Sequence, residues 1–166
     1  VHLSLALFLL SLIFWYLLDL STIDRFKIRI SNFLLLLILS LIILQIILGS
    51  FLSGLDGGLI YNSWPDMNGA FLPSDVNKKD YLSQQLFYNP SIIQLFHRIT
   101  AYILLFFILI LNYLFFKKKL SFQSILFFDL AILLQIFLGV VTLVSGVEIQ
   151  YASLHQLGSI FVLSSY

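Results

Sequence analysis

Cysteine is absent from this chain and charge is scarce. Without thiols there is no disulfide, no thiolate metal centre and no redox dithiol. Only 10% of the 166 residues are charged, and the formal net charge is +1. That leaves no broad electrostatic surface for nucleic acid, so no nucleic-acid partner is expected. The first apolar run also lacks the basic region that precedes a secretory signal. What the chain has instead is hydrocarbon: 60% hydrophobic residues and a mean hydropathy of +1.03. A soluble domain has no use for so much apolar surface, so an integral membrane protein is expected, with the lipid bilayer as its first partner.

The apolar residues fall into five runs: Leu3 to Leu20, Asn32 to Ser53, Pro90 to Phe116, Ser121 to Ser145, and one that begins at Tyr151. The expected fold is all-α, a polytopic helical bundle of five spans. A span takes about 20 residues. The last run reaches Tyr166 after about 15, so the fifth helix reads as cut short, and the chain reads as a fragment beginning at Val1-His2. Asp129 lies inside the fourth run, within two turns of its basic end, where it can reach the interface or a lysine.

Positive charge in the short connections sets the orientation. Arg25, Lys27 and Arg29 mark one side, and Lys117, Lys118 and Lys119 mark the same side two spans later. The long connection from Gly54 to Asn89 carries Lys78 and Lys79, but Asp56, Asp66, Asp75 and Asp80 accompany them. The basic connections are therefore expected inside and the long connection outside. His2, His97 and His155 then all fall near the outer face.

An imidazole in a membrane helix is costly, so it usually faces a partner, a cavity or a cofactor. His97 and His155 begin two different apolar runs at matched depth, and such a pair suits the axial ligands of a haem held in a helical bundle. A plain polar contact between helices remains the alternative for each. Residues four positions on share the face of a helical histidine: Ala6 for His2, Ala101 for His97 and Ser159 for His155, with Gly158 beside the last. All are small and admit either a flat macrocycle or a neighbouring helix. Arg98 would pair with a haem propionate through its planar fork, or snorkel to lipid phosphates.

An internal repeat accompanies the histidines. Gln45-Ile46-Ile47-Leu48-Gly49 and Gln135-Ile136-Phe137-Leu138-Gly139 share Gln-Ile-x-Leu-Gly, ninety positions apart. Each copy precedes an outer connection and then a helix with a histidine near its start. Duplicated units commonly hold ligands at their shared interface. Gly49 and Gly139 themselves are expected to serve plain helix packing.

The outer connection is too aromatic and too rich in turn residues for a passive linker. Trp64 and Tyr61 suit the membrane interface. Gly57-Gly58, Asn68-Gly69 and the prolines build turns. The expectation is a structured lid over the outer helix ends, in which Asp56 and Asp66 form turns.

Gly-Leu-Asp-x-Gly-x-x-Tyr-Asn-x-x-Pro-x-Met-x-Gly, from Gly54 to Gly69, resembles the outer loop of the haem A synthase family. So do His97-Arg98-Ile99-Thr100-Ala101-Tyr102, Leu138-Gly139-Val140-Val141-Thr142-Leu143 and His155-Gln156. The resemblance runs over essentially the whole chain, in order. It implies a duplicated architecture of two four-helix halves, of which this chain would hold the fourth to eighth helices. Residues 1–31 would then close the substrate half, and residues 32–166, with the outer loop 54–89, would form the haem b half. His97 and His155 would be the haem b ligands, Arg98 would assist them, and His2 would bind the substrate haem.

The implied reaction is oxidation of the C8 methyl of haem O to a formyl group, giving haem A for terminal oxidases. The resemblance further implies a bacterial plasma membrane or the mitochondrial inner membrane. It suggests haem O synthase or a terminal-oxidase assembly factor as partners. Two departures matter. The helices that carry the other substrate ligands and the acidic residue of the family are not in this chain. The cysteine pair of some members is missing as well. A non-enzymatic cytochrome b-type electron carrier is the alternative function, and a transporter or structural bundle without haem is a third.

Overall fold

The structure, a computed structural model, describes residues 30–77, 79–121 and 123–166, apart from the side chains of Gln85 and Ser124, together with nine separate positions between residues 5 and 17. Those nine positions are helical. His2 and the basic residues Arg25, Lys27 and Arg29 lie outside the described residues.

Four further helices follow: α1 (Asn32–Gly54), α2 (Pro90–Lys117), α3 (Gln123–Val144) and α4 (Ile149–Ser165). Each begins and ends within two residues of its expected run. Among the described residues three helices are long and apolar enough to cross a membrane: α1, α2 and residues 125–144 of α3. At 17 residues, α4 is shorter than a span. In hydrocarbon only a helix satisfies every backbone group within one segment, which is why these Leu- and Ile-rich runs coil. Among the described residues the only extended pairing is a single bridge between Met67 and Ala70.

The helix ends are set locally. Pro90 occupies the first turn of α2, and the Asn89 side chain accepts from the Ser91 and Ile92 amides at 2.9 and 3.3 Å. Lys119 (φ 52°) ends α2, with the Leu120 amide returning to the Phe115 carbonyl at 3.0 Å. Gly146 (φ 73°) ends α3 in the same way, with the Val147 amide on the Thr142 carbonyl at 2.8 Å. A left-handed residue at this position suits glycine at 146; at 119 a lysine adopts it.

The bundle is two hairpins, α1 against α2 and α3 against α4, with α1 also touching α4. Its apolar core lies toward the lysine end. Ile38 and Ile42 of α1 meet Leu104, Ile108, Leu111 and Phe115 of α2, and Ile125, Phe128, Ala131 and Ile132 of α3, with Val162 of α4. Lipid tails are as apolar as these side chains, so dispersion and fit hold this core rather than water exclusion. Asn112 adds a polar contact there, donating to Asp129 at 3.0 Å. The partner recorded for Asp129 is thus an amide on the neighbouring helix.

Toward the other end the packing changes. Beyond Ile42 on α1 and Ile132 on α3 neither helix buries a hydrophobic side chain among the described residues. The repeated glutamines, glycines and facing histidines occupy this stretch.

Candidate functional site

His97 lies on α2 and His155 on α4, one on each hairpin, about two turns from the helix start. Both are partly buried. Nδ1 of each is buried without a hydrogen-bond partner. A buried polar atom left unpaired costs about 1–3 kcal/mol. Two unpaired imidazole nitrogens at matching places are therefore a feature that a bound group would relieve. Among the described residues no three His, Cys, Asp or Glu side chains converge, so the donor set is two imidazoles and not the four ligands of a structural zinc site.

The repeat explains how the rings are seated. A Cβ built on Gly49 would meet His97 Cε1 at 3.4 Å, and one on Gly139 would meet His155 Cε1 at 3.0 Å and both ring nitrogens at 3.5 Å. The expected helix packing at the two glycines is specific: each glycine gives its space to an imidazole edge of the facing helix. Gln45 Nε2 donates to the main-chain carbonyl of His97 at 2.8 Å. Gln135 packs where a Cβ on Gly158 would come within 2.6 Å of its Oε1, and that oxygen is buried and unpartnered. Thr142 Oγ1 is a second buried, unpartnered atom on α3. Gln135, Gly139 and Thr142 are spaced i, i+4, i+7 and share one face.

The long connection from Gly54 to Asn89 is structured, as expected. It has its own small core of Tyr61, Met67 and Leu95, with Tyr81 packed against it. Asp75 accepts from the Tyr61 hydroxyl at 2.6 Å and from the Ser91 hydroxyl at 2.7 Å. Gln94, 1% exposed, donates to the Tyr61 carbonyl at 2.9 Å. Asn62 donates to Gly58 O at 2.7 Å and to Leu143 O at 3.0 Å, which carries the lid across to the α3–α4 hairpin. Gly58 lies there as well, where a Cβ would meet Val147 Cγ2 at 2.8 Å. The lid therefore ties the two hairpins together at the end where the histidines sit.

Arg98 belongs to this lid contact. Its Nη1 donates to Asp66 O at 2.6 Å and its Nη2 to Tyr61 O at 3.1 Å, while Nε is buried without a partner. Asp66 forms a turn, as expected, accepting from the Ser63 hydroxyl at 2.6 Å. The Ser63 and Gly69 hydrogen bonds, with a smaller pull from the Arg98 charge, outweigh its desolvation and hold its carboxyl below 3.8. Asp56 occupies a left-handed turn (φ 51°) before the short helix Gly57–Leu59. Burial pushes the Asp75 carboxyl up, but the Tyr61 and Ser91 hydrogen bonds prevail and keep it below 3.8. Sequence reasoning missed Ser91, Gln94 and Asp75. Two polar residues in the first turn of an otherwise apolar helix were the available signal.

A cavity of about 350 Å³ lies elsewhere. It is an apolar groove along Ile43, Ile46, Ile47 and Phe51 of α1 and Leu163 of α4, and neither histidine lines it.

Fold and site together define a polytopic helical membrane protein with two histidines beneath a docked connecting loop. Comparison with known proteins narrows that class. A family model described as cytochrome oxidase assembly protein matches residues 1–166. A haem A synthase from Pelagibacter ubique (strain HTCC1062) is 69% identical over 166 residues, which is 100% of this chain and 49% of that protein. One from Wolbachia pipientis wMel is 33% identical over 169 residues, or 99% of this chain and 47% of that protein. One from Rickettsia bellii (strain OSU 85-389) is 38% identical over 128 residues, or 76% and 38%. The chain belongs to the haem A synthase family of cytochrome oxidase assembly proteins. It spans about half the length of the Pelagibacter and Wolbachia relatives. No solved structure matches it.

Proposed function

We propose that this chain supplies the haem b half of a haem A synthase, which oxidises the C8 methyl of haem O to the formyl group of haem A. The observation that carries the reading is the pair of buried, unpartnered imidazole nitrogens on His97 and His155, each seated against a glycine of the repeat. These residues fit a haem: an unpartnered imidazole on each hairpin, and stretches of α1 and α3 that bury no apolar side chain at that level among the described residues. His97 and His155 would hold the iron. Arg98 would meet a propionate, with Nε as its unpartnered donor. His2 would belong to the substrate haem, on the strength of the family resemblance alone. Held by His97 and His155, a haem would supply one-electron transfer, which suits carrying electrons away from the oxidised methyl better than activating oxygen.

The chain's own residues do the rest. The lid, held by Tyr61, Asp75, Gln94 and Arg98, closes the end of the bundle over the histidines and limits water there. Gln45 holds α2 at the level of its ligand. Within the membrane the bis-His site would then face the outer side, where the lid lies.

The test is made on the full-length protein. A pyridine-haemochrome assay should report haem B in the purified protein and haem A formed from haem O. His97→Ala and His155→Ala should each abolish the six-coordinate low-spin haem b spectrum. If both variants keep that spectrum, the ligand assignment is wrong. If the ligands hold but the full-length protein forms no haem A, the chain belongs to an electron carrier instead.

A further inference from the structure

The two copies of Gln-Ile-x-Leu-Gly do the same thing to their histidines. On α1 the glycine meets the His97 ring edge, and the glutamine one turn earlier bonds the main chain of the same residue. On α3 the glycine meets the His155 ring edge, and the glutamine packs on Gly158, three residues beyond that histidine. We propose that the repeated segment is an imidazole seat: its glycine sets the plane of the ligand ring, and its glutamine holds the facing helix at the ligand's level. The proposal rests on the reading of His97 and His155 as axial ligands, and adds Gln45, Gly49, Gln135 and Gly139 as positioning residues.

Spacing makes the device work. Residues i and i+4 lie one above the other on a helix face. A glutamine at i reaches across to the neighbouring backbone. A glycine at i+4 leaves the space that a side chain would fill, and the imidazole comes down onto the helix surface there. Any larger residue at i+4 would push the ring outward, away from the glutamine's anchor point. The fit of an axial ligand depends on such outer contacts, which fix ring orientation and tune the iron.

The two seats are unequal, and this gives the proposal its sharpest consequence. A Cβ at Gly49 would lie 3.4 Å from His97 Cε1, ordinary van der Waals contact. At Gly139 the distance to His155 Cε1 is 3.0 Å, so the ring must shift by a few tenths of an ångström. The same methyl crowds the second ring more than the first. The glutamines differ too: Gln45 makes its cross-helix bond, whereas Gln135 Oε1 is buried without one. The first seat is thus held by its glutamine, and the second by the packing of Gly139 and Gly158.

The experiment uses the full-length protein with its haem b bound, read by low-spin electron paramagnetic resonance and by redox titration. The largest g value of a bis-imidazole haem reports the angle between the two ring planes, which a general loss of stability does not move. Gly139→Ala should keep its haem and shift both that g value and the midpoint potential, and Gly49→Ala should shift both by less. Gln45→Leu should weaken haem binding by about 10-fold or more, the usual effect of losing an outer-shell contact. An unchanged g value in Gly139→Ala, or a shift in Gly49→Ala as large as that in Gly139→Ala, overturns the proposal. If Gly139→Ala does not accumulate, Gln45→Leu carries the test, and unchanged haem affinity there overturns it. His97→Ala and His155→Ala are run beside these variants. Loss of the low-spin spectrum in the histidine variants with a silent Gly139→Ala refutes the seat and leaves the ligands standing. Retention of the spectrum in both histidine variants refutes the ligand reading itself.

Discussion

Arg98 donates from Nη1 to the main-chain carbonyl of Asp66 at 2.6 Å, while the Asp66 carboxylate is taken by Ser63. The contact is therefore not a simple ion pair. The guanidinium reads two carbonyls of the lid at once, Asp66 and Tyr61, and only a planar fork spans both. Lysine keeps the charge and loses the fork. We expect Arg98→Lys to destabilise the docked lid by about 1–2 kcal/mol, since hydrogen bonds to charged groups contribute about 1.5–3 kcal/mol each. Arg98→Ala should cost more. Limited proteolysis within residues 54–89 measures the effect. Equal cleavage of Arg98→Lys and wild type would mean that charge alone holds the lid.

Asp75 makes the lid sensitive to acid. Its carboxylate accepts from Tyr61 and Ser91, and these bonds outweigh the upward push of burial, so its folded pKa lies below 3.8. The sign follows from linkage: a depressed carboxyl contributes stability above its unfolded pKa and loses it as pH falls through the folded value. Asp66 has the same sign in the same loop. Pepsin cleavage within the lid should therefore rise as pH drops from about 5 to below 3.8. In Asp75→Asn the rise should be shallower and the cleavage at pH 5 already faster. An unaltered pH profile in that variant would remove Asp75 from the latch.

Orientation is the third prediction. The lysines at the α2–α3 turn should face the inside and the lid the outside, by the excess of basic residues in the short connection. Ala70 is exposed in the lid and Ser121 is exposed in the turn, and this chain has no cysteine of its own. In intact cells an impermeant thiol reagent should label Ala70→Cys and spare Ser121→Cys. The reverse pattern would invert the bundle.

How much of this was legible in the sequence depends on what each feature rests on. The helix bounds were readable because apolar runs in lipid have one solution, and Asn89-Pro90 and Gly146 mark ends by their own chemistry. His97 and His155 stood out because little else in those runs ionises. The role of Gly49 and Gly139 was not readable: a glycine facing a ring and a glycine facing a helix look alike until the partner is in place. Arg98 was read for a propionate or for lipid phosphates. Its two recorded partners are loop carbonyls more than thirty residues away, which spacing along one helix does not reveal. Asp75 was hidden for the same reason, since its partners Tyr61 and Ser91 flank it at distances set only by the folded lid.

Asn62 carries the last prediction. Its amide uses both protons, one on Gly58 O within the lid and one on Leu143 O at the end of α3. The second bond joins the α1–α2 connection to the other hairpin, above the two histidines. Its loss should loosen the α3–α4 turn without touching the apolar core at the lysine end. Asn62→Ala removes both bonds at about 1 kcal/mol each. Asn62→Asp keeps the shape but sets a carboxylate against two carbonyl oxygens, so it should be worse than alanine despite its closer likeness. A loss of about 1–2 kcal/mol corresponds to a factor of about 5–30 in a local opening equilibrium. Amide exchange at residues 145–148 should accelerate by that factor in Asn62→Ala and by more in Asn62→Asp, while residues 104–115 of α2 exchange as before. If the α2 core accelerates equally, the hydrogen bond supports the whole bundle and not the lid. If neither region changes, the lid is held by Arg98, Gln94 and Asp75 alone.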